Sequence, residues 1–208
     1  MTASFARATF ERAATTPENM PPAAGLEVAF AGRSNAGKSS AINALVGQRR
    51  LAYTSKTPGR TQEINFFALG EQRFLVDLPG YGYAAVPRAL RGRWERVLQH
   101  FLRERESLRG LVVIMDVRHP LTPLDTQLLD WFAPTRKPVL VLLTKSDKLT
   151  AAQGRAVLAK VSQALAAHHP SATAQLFSST RRIGVEEAKR EIAGWLGLEP
   201  ARGIKTPG

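Results

Sequence analysis

The 208-residue chain is 44% hydrophobic, enough apolar material for one sizeable core, and its formal charge of +12 favours phosphate-rich partners over neutral ones. It has no cysteine, which excludes disulfides, thiolate metal sites and cysteine nucleophiles and fits a reducing compartment. No run approaches the roughly 18 apolar residues of a membrane span, and the N-terminus lacks a signal-peptide core, so a soluble cytoplasmic protein is expected.

In chain order, residues 1–25 hold Pro17, Pro21, Pro22 and Gly25 among scattered arginines, and predict an arm over the domain surface. "LEVAFAG" predicts a short buried strand, and "KSSAINALVG" a helix stopped by Gly47. "EINFFALGEQRFLVDLPG" predicts two strands joined near Gly70 in a hairpin. "PRALRGRWERVLQHFLRERESLRG" predicts a helix with Leu90, Trp94, Val97, Phe101 and Leu108 on one stripe. "GLVVIMDV" and "KPVLVLLTK" are near-continuous aliphatic runs of the kind found in strands covered on both faces. Between them, "TPLDTQLLDWFA" predicts a helix capped at Thr122 with Pro123 in its first turn. "TAAQGRAVLAKVSQALAAH" and "GVEEAKREIAGWLG" predict helices on either side of a weaker final strand, "ATAQLFSS". Residues 199–208, "EPARGIKTPG", predict a flexible basic tail. This alternation implies one three-layer α/β domain over residues 26–198, with a mostly parallel sheet and one antiparallel edge strand.

Three motifs carry chemistry. "GRSNAGKS", from Gly32 to Ser39, fits G-x-x-x-x-G-K-[ST] between a strand and a helix. Its glycines let backbone N–H groups approach phosphates, and the helix N-terminus adds positive potential. Lys38 supplies a point charge for the β- and γ-phosphates, and the Ser39 hydroxyl can bind Mg²⁺. "DLPG" (Asp77 to Gly80) ends a strong strand; Asp77 can serve the Mg²⁺ shell and the Gly80 N–H a γ-phosphate oxygen. "TKSD" (Thr144 to Asp147) ends an aliphatic strand at the sheet edge where open α/β sheets bind ligands. The Asp147 carboxylate can accept from guanine N1–H and the 2-amino group, which adenine does not offer together. Taken alone, "TKSD" also reads as a helix cap after a strand. "SKTPGRTQ" adds a loop in which Thr61 can complete the Mg²⁺ shell when a γ-phosphate is present, as in a segment ordered by nucleotide and released on hydrolysis. "LFSST" can offer backbone N–H groups to a guanine oxygen, or form a simple turn.

The ordered set "GRSNAGKSS", "TPGRTQ", "DLPGYGYA", "TKSD" and "FSS" resembles the EngB (YihA/YsxC) family of bacterial GTPases over about residues 25–197. The resemblance implies a Ras-like P-loop G domain that binds GTP with Mg²⁺, hydrolyses it slowly to GDP and acts in assembly of the large ribosomal subunit. It also implies a link to normal cell division and septation through ribosome supply. By motif, GTP contacts fall on Gly32, Arg33, Ser34, Asn35, Ala36, Gly37, Lys38 and Ser39. They continue over Gly59, Arg60, Thr61, Gln62 and Glu63, then Asp77, Leu78, Pro79 and Gly80. Thr144, Lys145, Ser146 and Asp147 with Phe177, Ser178 and Ser179 complete them, and the Mg²⁺ ligands fall on Ser39 and Thr61. The implied partners are a large-subunit precursor and its rRNA; no membrane or DNA partner is expected, and the chain should be a monomer.

Two departures bear on catalysis. Tyr81 stands where many GTPases place a water-orienting Gln, so hydrolysis would rest on positioning and electrostatics, with Lys38, Asn35 and Thr61 as the catalytic candidates. Asn35 suggests recruitment of K⁺ beside the phosphates, against a plain role as a loop hydrogen-bonder. Thr144 replaces the Asn common in GTPases; its hydroxyl can still tie this loop to the first. The segment Arg88 to Arg109 carries seven arginines, of which Arg88, Arg93, Arg96 and Arg103 lie away from the apolar stripe. That face is either solvated or an rRNA phosphate contact, extended by Arg49, Arg50, Lys56, Arg60, Arg181 and Arg182. A metabolic P-loop kinase would need an acceptor site and lid and gives no reason for "TKSD"; a pure RNA-binding scaffold with an idle nucleotide pocket would be favoured if Lys38→Ala kept full cellular function; and an RNA-modification GTPase would need a further domain. His100, His119, His168 and His169 lack metal-ligand spacing, and Trp94, Trp131 and Trp195 fit apolar helical stripes.

Overall fold

The computed structural model describes residues 4–52, 63–82 and 88–198. The strands are β1 (Thr9–Ala14), β2 (Leu26–Gly32), β3 (Ile64–Gly70), β4 (Arg73–Asp77), β5 (Leu108–Asp116), β6 (Val139–Thr144) and β7 (Ala172–Leu176). They alternate with helices α1 (Lys38–Val46), α2 (Arg88–Glu104), α3 (Pro123–Phe132), α4 (Ala151–His168) and α5 (Val185–Trp195). The described strands form one sheet in the order β1-β3-β4-β2-β5-β6-β7. Strands β4, β2, β5, β6 and β7 run parallel, as the long aliphatic runs of β5 and β6 require when helices cover both faces.

Alternation along the central strands feeds two cores. Ala29, Ala31, Val113, Met115 and Val141 face one side, where Phe101 and Leu102 of α2, Leu128, Leu129 and Phe132 of α3, and Val161 and Leu165 of α4 pack on them. Val28, Phe30, Ile114, Leu140 and Leu142 face the other, against Ile42 and Leu45 of α1 and Ala188 and Ile192 of α5. This is the three-layer α/β arrangement expected. It places the carboxyl ends of β2, β4, β5 and β6 along one edge, where the chain leaving β2 goes to one face of the sheet and the chain leaving its neighbour β5 to the other.

The hairpin forms as expected between β3 and β4, turning through Gly70, Glu71 and Gln72, all with positive φ. β3 is thus the antiparallel strand, and it lies one place in from the edge. Outside it β1 pairs antiparallel, from Thr9 opposite Ala68 to Ala14 opposite Ile64. The arm expected over residues 1–25 therefore contributes an edge strand. "TFERAA" buries Ala14 and exposes its first four residues, so no apolar alternation marks it. The helix expected through residue 110 stops at Glu104, and Leu108 belongs to β5, not to the helical stripe. The reason is Arg105, which turns inward to the fully buried Glu27, with Nε and Nη2 at 2.8 and 2.6 Å from its carboxylate oxygens. The expected tail, residues 199–208, lies outside the described residues.

Candidate nucleotide site

The phosphate loop is shaped by close approach. Gly32 ends β2 so near β5 that a Cβ there would stand 2.8 Å from the Ile114 carbonyl oxygen. Asn35 (φ 63°) and Gly37 (φ 100°) then take left-handed backbone to turn the chain into α1, where Lys38 and Ser39 occupy the first turn. The α1 N-terminus opens onto the carboxyl edge with the positive end of its dipole. Across it, the Lys38 ammonium pairs with the Asp77 carboxylate at the end of β4, both side chains largely buried. A phosphate would compete for the first of these groups and a cation for the second.

The "DLPG" segment leaves β4 alongside that loop. Leu78 N–H donates to the Phe30 carbonyl at 2.9 Å, and the site of a Cβ on Gly80 lies 3.5 Å from the Ser34 nitrogen. Ser34 N–H donates to the Tyr81 carbonyl (3.0 Å) and Tyr81 N–H to the Gly32 carbonyl (3.3 Å), so Arg33 and Tyr81 form a short parallel bridge. The Tyr81 hydroxyl donates to Asp125 Oδ1 at 2.8 Å. Burial, reinforced by that carboxylate, pushes the phenol well above its ordinary value, so it stays protonated. Arg33 Nε lies 3.9 Å from the other Asp125 oxygen. Its side chain points to α3, which leaves the loop backbone as the part of Arg33 turned to a nucleotide.

"TKSD" joins the first loop through its first two residues. The buried Thr144 hydroxyl lies 2.5 Å from the Ala36 carbonyl and 3.0 Å from that of Met115. A Cβ on Gly37 would stand 3.6 Å from the same hydroxyl. The link between loops expected of Thr144 is therefore made. Lys145, itself at φ 59°, donates from Nζ to the Asn35 carbonyl (2.8 Å) and lies 3.0 Å from Asp116 Oδ2. Asp116 also receives Arg118 through Nε (2.9 Å) and Nη2 (2.6 Å). Those Arg118 hydrogen bonds chiefly, with Lys145, hold the Asp116 carboxyl far below the usual carboxylate range.

The purine end is built from Ser146, Asp147 and the loop after β7. Ser146 donates from Oγ to the Phe177 carbonyl at 3.0 Å. Ser178 donates from Oγ to Asp147 Oδ1 at 2.6 Å and lowers the carboxyl's pKa. Asp147 thus faces outward as a fixed anion. The Phe177 and Ser178 N–H groups are taken by the Leu143 and Ile183 carbonyls. A guanine oxygen would accordingly be met from Ser179 onward, and not by the amides of the two residues before it. Of the expected contacts, Glu63 is exposed just before β3, while Gly59, Arg60, Thr61 and Gln62 lie outside the described residues.

The donor set suits a magnesium ion. Among the described residues no three His, Asp or Glu side chains converge; the oxygen donors at this edge are the Ser39 hydroxyl and, through water, the Asp77 carboxylate, which with phosphate and water oxygens would fit such an ion. Sequence reasoning did not single out Asp116, Arg118 or Asp125. The position of Asp116 at a strand's carboxyl end and of Asp125 three residues after a helix cap are the signals that mark them.

A glycine-bent phosphate loop, a strand-end Asp–x–x–Gly and an outward Asp behind "TKS", all on the carboxyl edge of a mostly parallel sheet, define a P-loop GTPase domain. The family model of 50S ribosome-binding GTPases matches residues 27–145. The probable GTP-binding protein EngB of Aromatoleum aromaticum is 57% identical over 205 residues, covering 98% of this chain and 95% of that protein. Its counterpart from Nitrosomonas europaea is 56% identical over 191 residues, 92% of this chain and 86% of that one. A crystal structure of a probable GTP-binding protein EngB shares the fold at TM-score 0.66 and 20% identity, covering 83% of this chain and 100% of that chain. Era in complex with MgGDPNP and nucleotides 1506–1542 of 16S ribosomal RNA shares it at TM-score 0.60 and 20% identity, over 87% of this chain and 59% of that one. The chain belongs to the EngB family of GTP-binding proteins, GTPases of the ribosome-binding type.

Proposed function

We propose that the protein binds GTP with Mg²⁺, hydrolyses it slowly to GDP, and uses the difference as a switch during assembly of the large ribosomal subunit in the cytoplasm. Normal division and septation would then depend on it through ribosome supply. The observation that carries this reading is the convergence of Lys38, Asp77 and Asp147 at one sheet edge, with Lys38 paired to Asp77 and the "TKSD" loop tied to the phosphate loop by Thr144 and Lys145. Lys38 and the α1 amides neutralise phosphate charge, and Asp147, fixed by Ser178, selects guanine. Ser39 and Thr61 would hold the metal, with Asp77 supporting it through water. When bound, magnesium supplies charge neutralisation and orientation of the β,γ-phosphate oxygens.

Tyr81 keeps its hydroxyl on Asp125 and cannot act as a base, so hydrolysis rests on preorganised backbone donors and Lys38. K⁺ at Asn35 would add a further positive charge; faster turnover in K⁺ than in Na⁺ at matched ionic strength supports that role, and equal rates remove it. For the ribosomal partner, Arg49, Arg50, Arg96, Arg103, Arg181 and Arg182 are exposed. Among the described residues no helix is long and apolar enough to cross a membrane. Sedimentation with large-subunit precursors tests the switch: binding should be stronger with GTP than with GDP, and nucleotide-independent binding would contradict it.

A further inference from the structure

The Asp125 carboxylate is fully buried on the first turn of α3, 44 residues along the chain from Tyr81. Capping explains one of its oxygens: Oδ2 accepts from the Thr122 backbone N–H (2.9 Å) and hydroxyl (2.7 Å). A cap needs no more, and the second oxygen of an ordinary capping carboxylate can stay in water. Here Oδ1 takes the Tyr81 hydroxyl at 2.8 Å, and Arg33 Nε stands 3.9 Å from Oδ2. A buried carboxylate is costly unless such partners compensate it. The two partners beyond the cap come from the two backbone segments that face a triphosphate, Arg33 from the phosphate loop and Tyr81 directly after Gly80.

The same junction is closed from the main chain. Tyr81 exchanges backbone hydrogen bonds with Gly32 and Ser34, and a Cβ on Gly82 would lie 3.2 Å from Leu124 Cδ1 at the start of α3. Gly80, whose N–H is the expected donor to a γ-phosphate, is therefore fixed by its neighbour's hold on α3. We infer that Asp125 is a positioning residue for GTP hydrolysis, acting through Tyr81 and Arg33 to hold the Gly80 backbone in register with the phosphate loop. The inference rests on the GTPase reading above and adds to it a residue outside every nucleotide motif.

A positioning role separates turnover from affinity. GDP is held by the phosphate loop and Asp147 and does not use Gly80, whereas the transferred phosphate does. Misplacement by about 1 Å can cost on the order of 100-fold in rate, so loss of one hydrogen bond at this junction should cost roughly tenfold.

The test uses the full chain with Tyr81→Phe, which keeps the ring and removes only the donor, Asp125→Asn, and the double variant. Single-turnover hydrolysis at saturating GTP should fall about tenfold in Tyr81→Phe, with GDP affinity within about twofold of the parent. Asp125→Asn keeps an amide that can still pair with the Tyr81 hydroxyl, so the double variant should fall to the rate of Tyr81→Phe and no lower, because the link to Tyr81 is the one through which both act. Unchanged hydrolysis in Tyr81→Phe, or equal loss of GDP and GTP affinity with turnover retained, would overturn the inference. Thermal melting reports folding, and if Asp125→Asn fails to fold, Tyr81→Phe alone decides. A parent protein that neither binds nor hydrolyses GTP would instead overturn the GTPase reading.

Discussion

At the scale of single residues, the site is a set of charges held in place by neighbours. Asp147 is the sharpest case, since the Ser178 hydroxyl fixes one of its oxygens and keeps it ionised. Asp147→Asn should weaken GTP and improve xanthosine triphosphate, because the amide adds a donor for the xanthine 2-oxo group; competition binding with both nucleotides checks this. Asp116 and Asp147 both have folded pKa values below their unfolded ones, so the stability they contribute is complete above about pH 4 and is lost as pH falls through the folded values. GDP affinity measured between about pH 5 and 8 should therefore show no loss traceable to either carboxylate. The gathering of Lys38, Asp77, Thr144 and Asp147 at one sheet edge was legible in the sequence because phosphate and purine chemistry needs those residue types at fixed spacing. Asp125 was not, because Thr122–Pro123 beside it marks a helix start and nothing local shows that Tyr81 closes on the same carboxylate.

At the scale of elements, junctions matter more than propensities. The Thr144 hydroxyl ties the end of β6 to the phosphate loop at Ala36. Thr144→Val keeps the shape and leaves a buried carbonyl short of a partner, which should cost about 1–3 kcal/mol of stability and weaken GDP binding, as urea melts and titration would report. Arg105 ends α2 by pairing with buried Glu27, lies over the Phe66 and Phe101 rings and reaches the Pro21 carbonyl at 3.0 Å. Arg105→Ala should cost about 3–5 kcal/mol by leaving Glu27 buried and unpaired, and Glu27→Leu in the same chain should recover part of it. Charged "RERE" on an amphipathic helix gives no local sign that its second arginine turns inward. The edge strand β1 was equally hidden, since four of its six residues are exposed. The central strands were plain from their unbroken aliphatic runs.

At the scale of the whole molecule, the sheet carries the site at one edge, and exposed basic side chains, among them Arg181 and Arg182 just after the purine-end loop, lie on the surface. Gly110 shows how tightly α5 is seated on that sheet: a Cβ there would stand 2.7 and 2.9 Å from Cζ3 and Cδ2 of Trp195. The net charge of +12 makes any rRNA interaction electrostatic, so ribosome or RNA binding should weaken steeply as salt rises, and a flat response in a salt series would count against phosphate contacts. The overall three-layer order followed from alternating strand and helix patterns, whereas the strand order came from pairings between segments far apart in sequence. Calorimetric titration of the purified chain in magnesium with GTP, GDP and ATP tests the central claim most directly. Heat of binding for both guanosine nucleotides and none for ATP is the expected result; binding of ATP without either guanosine nucleotide would contradict it.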